Sequence, residues 1–368
     1  MCFSTQVQGN EIAYIVFLEE QMKAGMYRGV QKIECADVEN PVITNSEMLV
    51  RVHAAAICGT DLRVFKGGHF AVKEGDNRIL GHEFAGEIVE IGSNVRGFEK
   101  GMNVGVEPNM GCGVCRYCRL GMPHLCNDYI VYGLTIDGGF AEFVKIDQNA
   151  ILHGNVVPFD ESISFEEAAL AEPLACCYNT LQSVGTGPGD RVLIVGAGPM
   201  GILHLQLSRL AGASTVMVAD VSEVRLKLLE AFQPDVVIDS KNEDLLEAVM
   251  HHTGGSGADV VITACPVPQI QQLSLHLAAK LGRISLFGGL PKGNEHVELN
   301  TNLIHYKELV VTGTTGSSPS QYAVALNLVI DGKIDTGALV SRRFQLPQIE
   351  EAFQYALSGQ GIKTLITI

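Results

Sequence analysis

At 368 residues the chain is long enough for about two domains of ordinary size, and its 46% hydrophobic and 18% charged residues describe a soluble globular protein. The net charge of −15, with no clustered run of Lys and Arg, argues against a nucleic-acid partner, because such binding is driven by basic patches that displace counterions. No apolar stretch approaches the roughly 18–20 residues needed to span a bilayer, so no membrane partner is expected.

Residues 12–18 are apolar but few, follow no basic region and run into Glu19-Glu20, which makes a poor signal peptide. Residues 1–21 therefore read as an N-terminal extension, with the first strand starting near Met22. From there to about residue 155, apolar runs at 48–52, 84–91, 103–106 and 140–146 alternate with glycine-rich turns, as in a β-rich domain. Ser164 and Glu167 have the spacing of a capping box and open an Ala- and Leu-rich helical segment, which Glu172-Pro173 interrupts and restarts. From Arg191 the rhythm changes. Strand-like runs at 192–195, 215–218, 236–238, 259–262, 283–287 and 309–312 alternate with helical patterns, among them 200–210, 222–232 and 242–253. Six strands with intervening helices predict an α/β fold built on a doubly wound parallel sheet. A Gly/Ser/Thr/Pro loop after Gly313, an amphipathic helix over 321–330 and an apolar tail at 365–368 complete the chain.

Ten cysteines in a chain this long are sparse beside disulfide-dependent mini-domains, and they point to reduced thiols in a cytoplasmic setting. Four of them cluster. Cys112, Cys115 and Cys118 follow CxxCxxC, and Cys126 comes after seven further residues. Gly111, Gly113 and Gly121 let the backbone turn tightly, so that four thiolates can reach one tetrahedral ion, as a structural zinc requires. Bacterial ferredoxins share the CxxCxxC run, but there the fourth cysteine follows after three residues and precedes Pro. Here Asn127 follows Cys126.

Gly196-Ala197-Gly198-Pro199-Met200-Gly201 is a GxGxxG turn between a predicted strand and helix, and Asp220 ends the next strand. The glycines admit a pyrophosphate to the helix N-terminus, where free N–H groups and the dipole favour negative charge. A carboxylate at 220 would take the ribose hydroxyls and repel a 2′-phosphate, so NAD is expected rather than NADP. Arg225 is open to three readings: a stack on the adenine, a phosphate contact, or cover for a helix face.

The stretch GHEF sets His82 beside Glu83 at the entrance of a strand, with Cys58 upstream and Glu172 downstream. One sulfur, one nitrogen and oxygens are an acceptable set for zinc with an exchangeable position, although spacing alone leaves open whether they meet.

Taken in order, ICGTD, GHEFAGEIVEIGSNVRGFEKGMNV, the cysteine lobe, EPLA and GAGPMG closely resemble the zinc-dependent medium-chain dehydrogenase family, from about Met22 to the C-terminus. Glu172 stands where the ethanol-type members carry a Cys ligand, which makes the chain most similar to the polyol branch, the sorbitol or L-iditol 2-dehydrogenases. The resemblance implies a β-rich GroES-like catalytic domain at 22–173 and 315–368, and a Rossmann nucleotide domain at 174–314. It implies two zinc ions per chain: a structural one on Cys112, Cys115, Cys118 and Cys126, and a catalytic one on Cys58, His82 and Glu83. Glu172 would be its fourth ligand or hold its water, and Thr60 would begin the proton path. NAD would sit on Gly196, Gly198, Pro199, Met200, Gly201, Asp220 and Arg225. The implied reaction oxidises a secondary alcohol of a polyol to a ketone, with zinc acidifying the hydroxyl and NAD accepting the hydride. A homodimer or homotetramer is implied as well, joined at nucleotide-domain edge strands, with 283–287 as the candidate edge.

Two departures stand out. Arg63 occupies the position where many relatives have a relay histidine, and residues 313–318 lack the Arg-Tyr pair of the animal sorbitol enzymes. Two alternatives stay within oxidoreductases, a threonine-like amino alcohol or a sugar phosphate as substrate. A third is a nucleotide-binding regulatory relative without turnover, against which Thr60 and the full ligand set speak. Cys176 and Cys177 read as small core residues on a helix, and His204, His251, His252 and His276 as helix residues.

Overall fold

The computed structural model describes residues 21–67, 71–72 and 75–368, so the expected extension lies, except for Gln21, outside the described residues. The strand Gln21–Gly29 forms an antiparallel hairpin with Lys32–Glu39 and also pairs with the short strand Arg78–Ile79. A seven-stranded sheet follows, in the spatial order Val156–Phe159, Asn103–Val106, Glu83–Ile91, Met48–Ala56, Lys363–Thr367 and Val340–Gln345, with Phe143–Ile146 paired to Met48–Ala56 off this path. The apolar tail thus returns as an inner strand of the first sheet, with Leu365 opposite Ala56. One expected strand is trimmed. Residues 140–142 are not part of the strand Phe143–Ile146, because Phe140 donates its N–H to the Leu80 carbonyl and accepts from the Gly25 amide instead.

The second sheet is six parallel strands in the order Val236–Asp239, Thr215–Asp220, Arg191–Val195, Ala258–Thr263, Ala278–Ser285 and Val310–Thr312. Helices cover both faces, which is why Val192, Leu193 and Ile194 are a continuous apolar run with no exposure at all. The order reverses between Arg191–Val195 and Ala258–Thr263, and a ligand crevice opens at such a switch point. The expectation that residues 283–287 form an edge is overturned: Arg283, Ile284 and Ser285 pair on both sides, and the edges are Val310–Thr312 on that side and Val236–Asp239 on the other.

Helix boundaries obey caps more than periodicity. The pattern over 242–253 becomes the helix Leu245–His252, because Asp244 caps it by accepting from the Glu247 amide. The pattern over 222–232 becomes Glu223–Leu229, capped by Ser222, and a 3-10 turn, Glu230–Phe232. Ser164 and Glu167 make the expected capping box, and Leu170 separates Phe165–Ala169 from Ala171–Val184. Pro173 lies in the first turn of that second helix, where amide groups have no intrahelical partner to lose.

A buried cluster joins the two sheets. Ala54, Ala56 and Ala85 from the first meet Leu174 and Ala175 from Ala171–Val184, Ile194 from the second, and Tyr322 and Leu326 from the helix Pro319–Ile330. Close approach inside the first sheet requires Gly86: a Cβ there would collide with the Arg51 carbonyl oxygen and press on the Val50 side chain at 2.8 Å. Gly86→Ala is therefore expected to destabilise the protein by about 1–3 kcal/mol through overpacking, read as a lower midpoint in thermal unfolding.

Candidate active site

Two strands bring the first donor set together. Ala56 pairs with Glu83 in the antiparallel ladder, so Cys58, just past one strand end, lies beside His82, just before the other strand begins. One ligand atom from each of Cys58, His82 and Glu83 lies within 4.8 Å of the others. His82 and Glu83 are buried, and Cys58 is half-buried.

Residues that the sequence did not single out hold this group. Asp61, with no exposure, accepts from the Cys58 amide at 2.9 Å and sets its other oxygen 3.4 Å from His82 Nδ1. Lys363, on the returning C-terminal strand, places Nζ 2.7 Å from Glu83 Oε1 and 2.6 Å from Oε2. Burial alone would pull His82 down, but Asp61 and Cys58 outweigh it and hold the imidazole well above its usual range. Burial likewise pulls on Lys363, and Glu83 and Cys58 raise it. With sulfur, nitrogen and carboxylate donors converging, the residues fit a zinc ion.

Glu172 is not in the three-donor group, yet it feels that group. Burial raises its carboxyl to about 7, opposed by His82 and reinforced by Glu83, and Cys176 Sγ lies 3.4 Å from its Oε1. Cys177 is a buried core residue as expected, whereas Cys176 is half-buried and borders the site. Thr60 is in the first turn of the helix Gly59–Gly67, and Arg63 is exposed on the same helix. A further carboxyl escaped the sequence reading altogether. Glu107 is fully buried and raised to about 8, first by burial and then by Glu172.

The second donor set is local. The sulfurs of Cys112, Cys115, Cys118 and Cys126 also converge within 4.8 Å, with Cys115 Sγ 3.5 Å from Cys118 Sγ and 3.7 Å from Cys126 Sγ. Four thiolates around one zinc at about 2.3 Å stand roughly 3.8 Å apart, so the cysteines fit a single tetrahedral ion. Amide N–H groups of Cys112 and Cys118 point at Cys126 Sγ and Cys115 Sγ. Backbone hydrogen bonds lower Cys112 to about 7, while burial raises Cys118 to about 12.

The glycine turn leaves the strand Arg191–Val195 and enters the helix Pro199–Leu210, with Met200 in its first turn. Gly196 has φ +118°, and a Cβ on Gly201 would run into the Gly196 carbonyl oxygen, so both positions need glycine. Asp220 ends its strand as expected, but it also works structurally: Oδ2 accepts from the Ala197 amide at 2.7 Å and Oδ1 from the Ser222 amide at 2.8 Å. Arg225 brings its guanidinium 3.8 Å from Asp220 Oδ2 and stands over Gly198. The helix histidines divide. His204 is buried against Phe287 and lowered to about 3, while His251 and His252 are exposed.

Comparison with known proteins agrees with this geometry. A family model described as "Alcohol dehydrogenase GroES-like domain" matches residues 44–156, and "Zinc-binding dehydrogenase" matches residues 199–331. The chain is 35% identical to the L-threonine 3-dehydrogenase of Pyrococcus abyssi over 341 residues, 91% of this chain and 95% of the relative. The sorbitol dehydrogenase of Bacillus subtilis is 31% identical over 342 residues, covering 92% and 94%. The chain belongs to the zinc-dependent medium-chain dehydrogenase family. A solved zinc-binding dehydrogenase structure from Sinorhizobium meliloti 1021, bound to NADP, superposes with a TM-score of 0.88 at 32% identity and covers 95% of this chain and 100% of its own. The first sheet is therefore the GroES-like unit, the second is the Rossmann-like unit, and the protein is an oxidoreductase. The non-catalytic alternative is set aside.

Lys363 is the countercharge of a fully buried carboxylate. Lys363→Met is expected to cost about 3–5 kcal/mol by leaving Glu83 unpaired, with Lys363→Arg recovering much of the loss, as read from urea midpoints.

Proposed function

We propose that this dehydrogenase is zinc- and NAD-dependent and oxidises a secondary hydroxyl of a polyol to a ketone. The carboxyl groups around the three-donor group carry the reading: Asp61, Glu83, Glu107 and Glu172 are all at least nine-tenths buried, with the Lys363 ammonium among them. Carboxyl oxygens placed in this way can accept from hydroxyl groups, and a polyol carries several.

Cys58, His82 and a carboxylate of Glu83 or Glu172 would hold the catalytic zinc, and Cys112, Cys115, Cys118 and Cys126 the structural one. Zinc so held supplies the Lewis acidity that makes an alcohol hydroxyl acidic near neutral pH, and NAD supplies the hydride acceptor. Asp61 orients the His82 ring through Nδ1, leaving its other nitrogen for the metal. Lys363 neutralises Glu83, which lets a second carboxyl, Glu172, share the pocket. Thr60 would relay the hydroxyl proton, taking it at Oγ1 as its own proton passes on to the cofactor ribose or to water, and Arg63 is exposed one turn further along the same helix.

Gly196, Gly198, Pro199, Met200 and Gly201 would cradle the pyrophosphate, Asp220 would accept from the adenosine ribose, and Arg225 would cover the adenine side. The described cysteines are free thiols, which supports a cytoplasmic setting. The exposed edge Val310–Thr312, rather than residues 283–287, is the surface we assign to pairing in a homodimer or homotetramer.

Cys58→Ser is expected to lower kcat/KM by roughly 10³-fold or more while circular dichroism stays unchanged; full activity in a folded variant refutes the zinc assignment. A panel of polyols, L-threonine and sugar phosphates with NAD tests the substrate class. The 35% identity to a threonine dehydrogenase keeps the amino-alcohol reading in view, and L-threonine turning over tenfold better than any polyol would install it.

The NADP-bound relative sharpens the cofactor question. Asp220→Gly should raise the NADP-to-NAD ratio of kcat/KM by about tenfold, equivalent to roughly 1.4 kcal/mol. An unchanged ratio in steady-state kinetics means that Asp220 does not face the ribose.

A further inference from the structure

Residues 313–317 leave the carboxyl end of the outermost parallel strand, Val310–Thr312, and lead into the helix Pro319–Ile330. The carboxyl ends of such strands form the nucleotide edge, and the glycine turn after Arg191–Val195 lies on that same edge. The returning segment is fastened from two sides. From the helix Ala171–Val184, Thr180 Oγ1 meets Thr314 Oγ1 at 2.6 Å, and Asn179 Nδ2 donates to the Gly316 carbonyl at 3.0 Å.

From the opposite side comes Glu107, at the end of the strand Asn103–Val106. Ser317 Oγ donates to Glu107 Oε2 at 2.8 Å, and Asn109 donates to Oε1 through Nδ2 at 2.5 Å and through its amide at 3.2 Å. The turn that carries Glu107 is itself held, because Asn155 Nδ2 donates to the carbonyls of Glu107 at 2.8 Å and Asn109 at 2.7 Å. A Cβ on Gly316 would stand in ordinary contact, 3.4 Å, with both the Asn109 side chain and His124, which lies between Cys118 and Cys126. Glu107, Asn155 and Ser317 have no exposure at all. One oxygen of this buried carboxyl, Oε1, is held by its own turn, and the other, Oε2, fixes that turn against the returning segment.

We infer that Glu107 is a positioning residue that ties the cofactor-edge segment 313–317 to the wall of the alcohol site through Ser317 and Asn109. Glu172, which opens the helix riveted to the same segment, depends on this tie for its placement. The four-cysteine lobe, entered directly from Asn109-Met110, shares the support. The kinetic half of the inference rests on the alcohol-oxidising reading above; the binding half does not.

The variants Glu107→Ala, Ser317→Ala, their double mutant and Glu107→Gln test it, with the reduced cofactor titrated by its fluorescence, as NADH or NADPH according to which the wild type binds more tightly. Glu107→Ala and Ser317→Ala are each expected to raise the cofactor Kd fivefold or more and to raise the alcohol KM more than they lower kcat. The double mutant should be no worse than Glu107→Ala, since the Ser317–Glu107 bond is already lost in that single variant. Glu107→Gln should stay within twofold, because a carboxamide can still accept from Asn109 and bond Ser317. A Kd change under fivefold in Ser317→Ala, or effects that multiply in the double mutant, overturns the inference. Should Glu107→Ala fail to fold, Ser317→Ala and Glu107→Gln decide by the same limits. If no polyol, amino alcohol or sugar phosphate turns over in the wild type, the substrate reading fails while the titration still decides the role of Glu107.

Discussion

A fully buried carboxylate, Glu83, is held by an almost fully buried ammonium, Lys363, that arrives from the far end of the chain. Neither charge could remain in the interior alone, since removing one partner of such a pair leaves an uncompensated ion in a medium of low polarity. The strand Lys363–Thr367 must therefore take its place beside Met48–Ala56 before the donor set can be electrically stable. Cys58 and Glu172 both lie in the field of this pair, and the site is complete only when the last residues of the chain have folded onto the first sheet.

The two candidate metal sites differ in how they are assembled. The cysteine lobe closes on itself: its sulfurs converge through short turns, and backbone amides aim at them. Its chemistry is that of a closed structural site, since all four positions are thiolates. The site around Cys58 joins strands distant in sequence, mixes three kinds of donor atom and borders titratable carboxyls, as an open catalytic position requires. Glu107 relates the two regions, because the turn it occupies leads into the lobe while its carboxyl reaches the segment returning from the nucleotide sheet.

Helices sit between the sheets and share one buried cluster with both, so the crevice is walled by elements that belong wholly to neither. Glu172 opens one of these helices, and Ser317 leads into another. Placement of reacting groups then follows from packing between sheets as much as from either sheet alone, which is how a small shift in one wall would reach the chemistry.

Some features were legible in the residue string because their physics is local. The lobe needs only its cysteine spacing and glycines, the nucleotide turn only a strand, three glycines and a helix, and the parallel sheet only its alternation of apolar runs with helical patterns. His82-Glu83 and Cys58 were recognisable as ligand types, but the pairing of Ala56 with Glu83 decided that they meet. Lys363, Asp61 and Glu107 gave no sign, since a lysine opening an apolar strand or a glutamate before a proline is ordinary until its burial is known. The edge strand was misread for the same reason: sequence order lists strands, while hydrogen-bond partners across the sheet rank them. Composition and short-range spacing determined the fold class, the thiolate lobe and the nucleotide turn; only the tertiary structure decided which distant charges share one interior, because compensation of buried ions depends on contacts that no local pattern encodes.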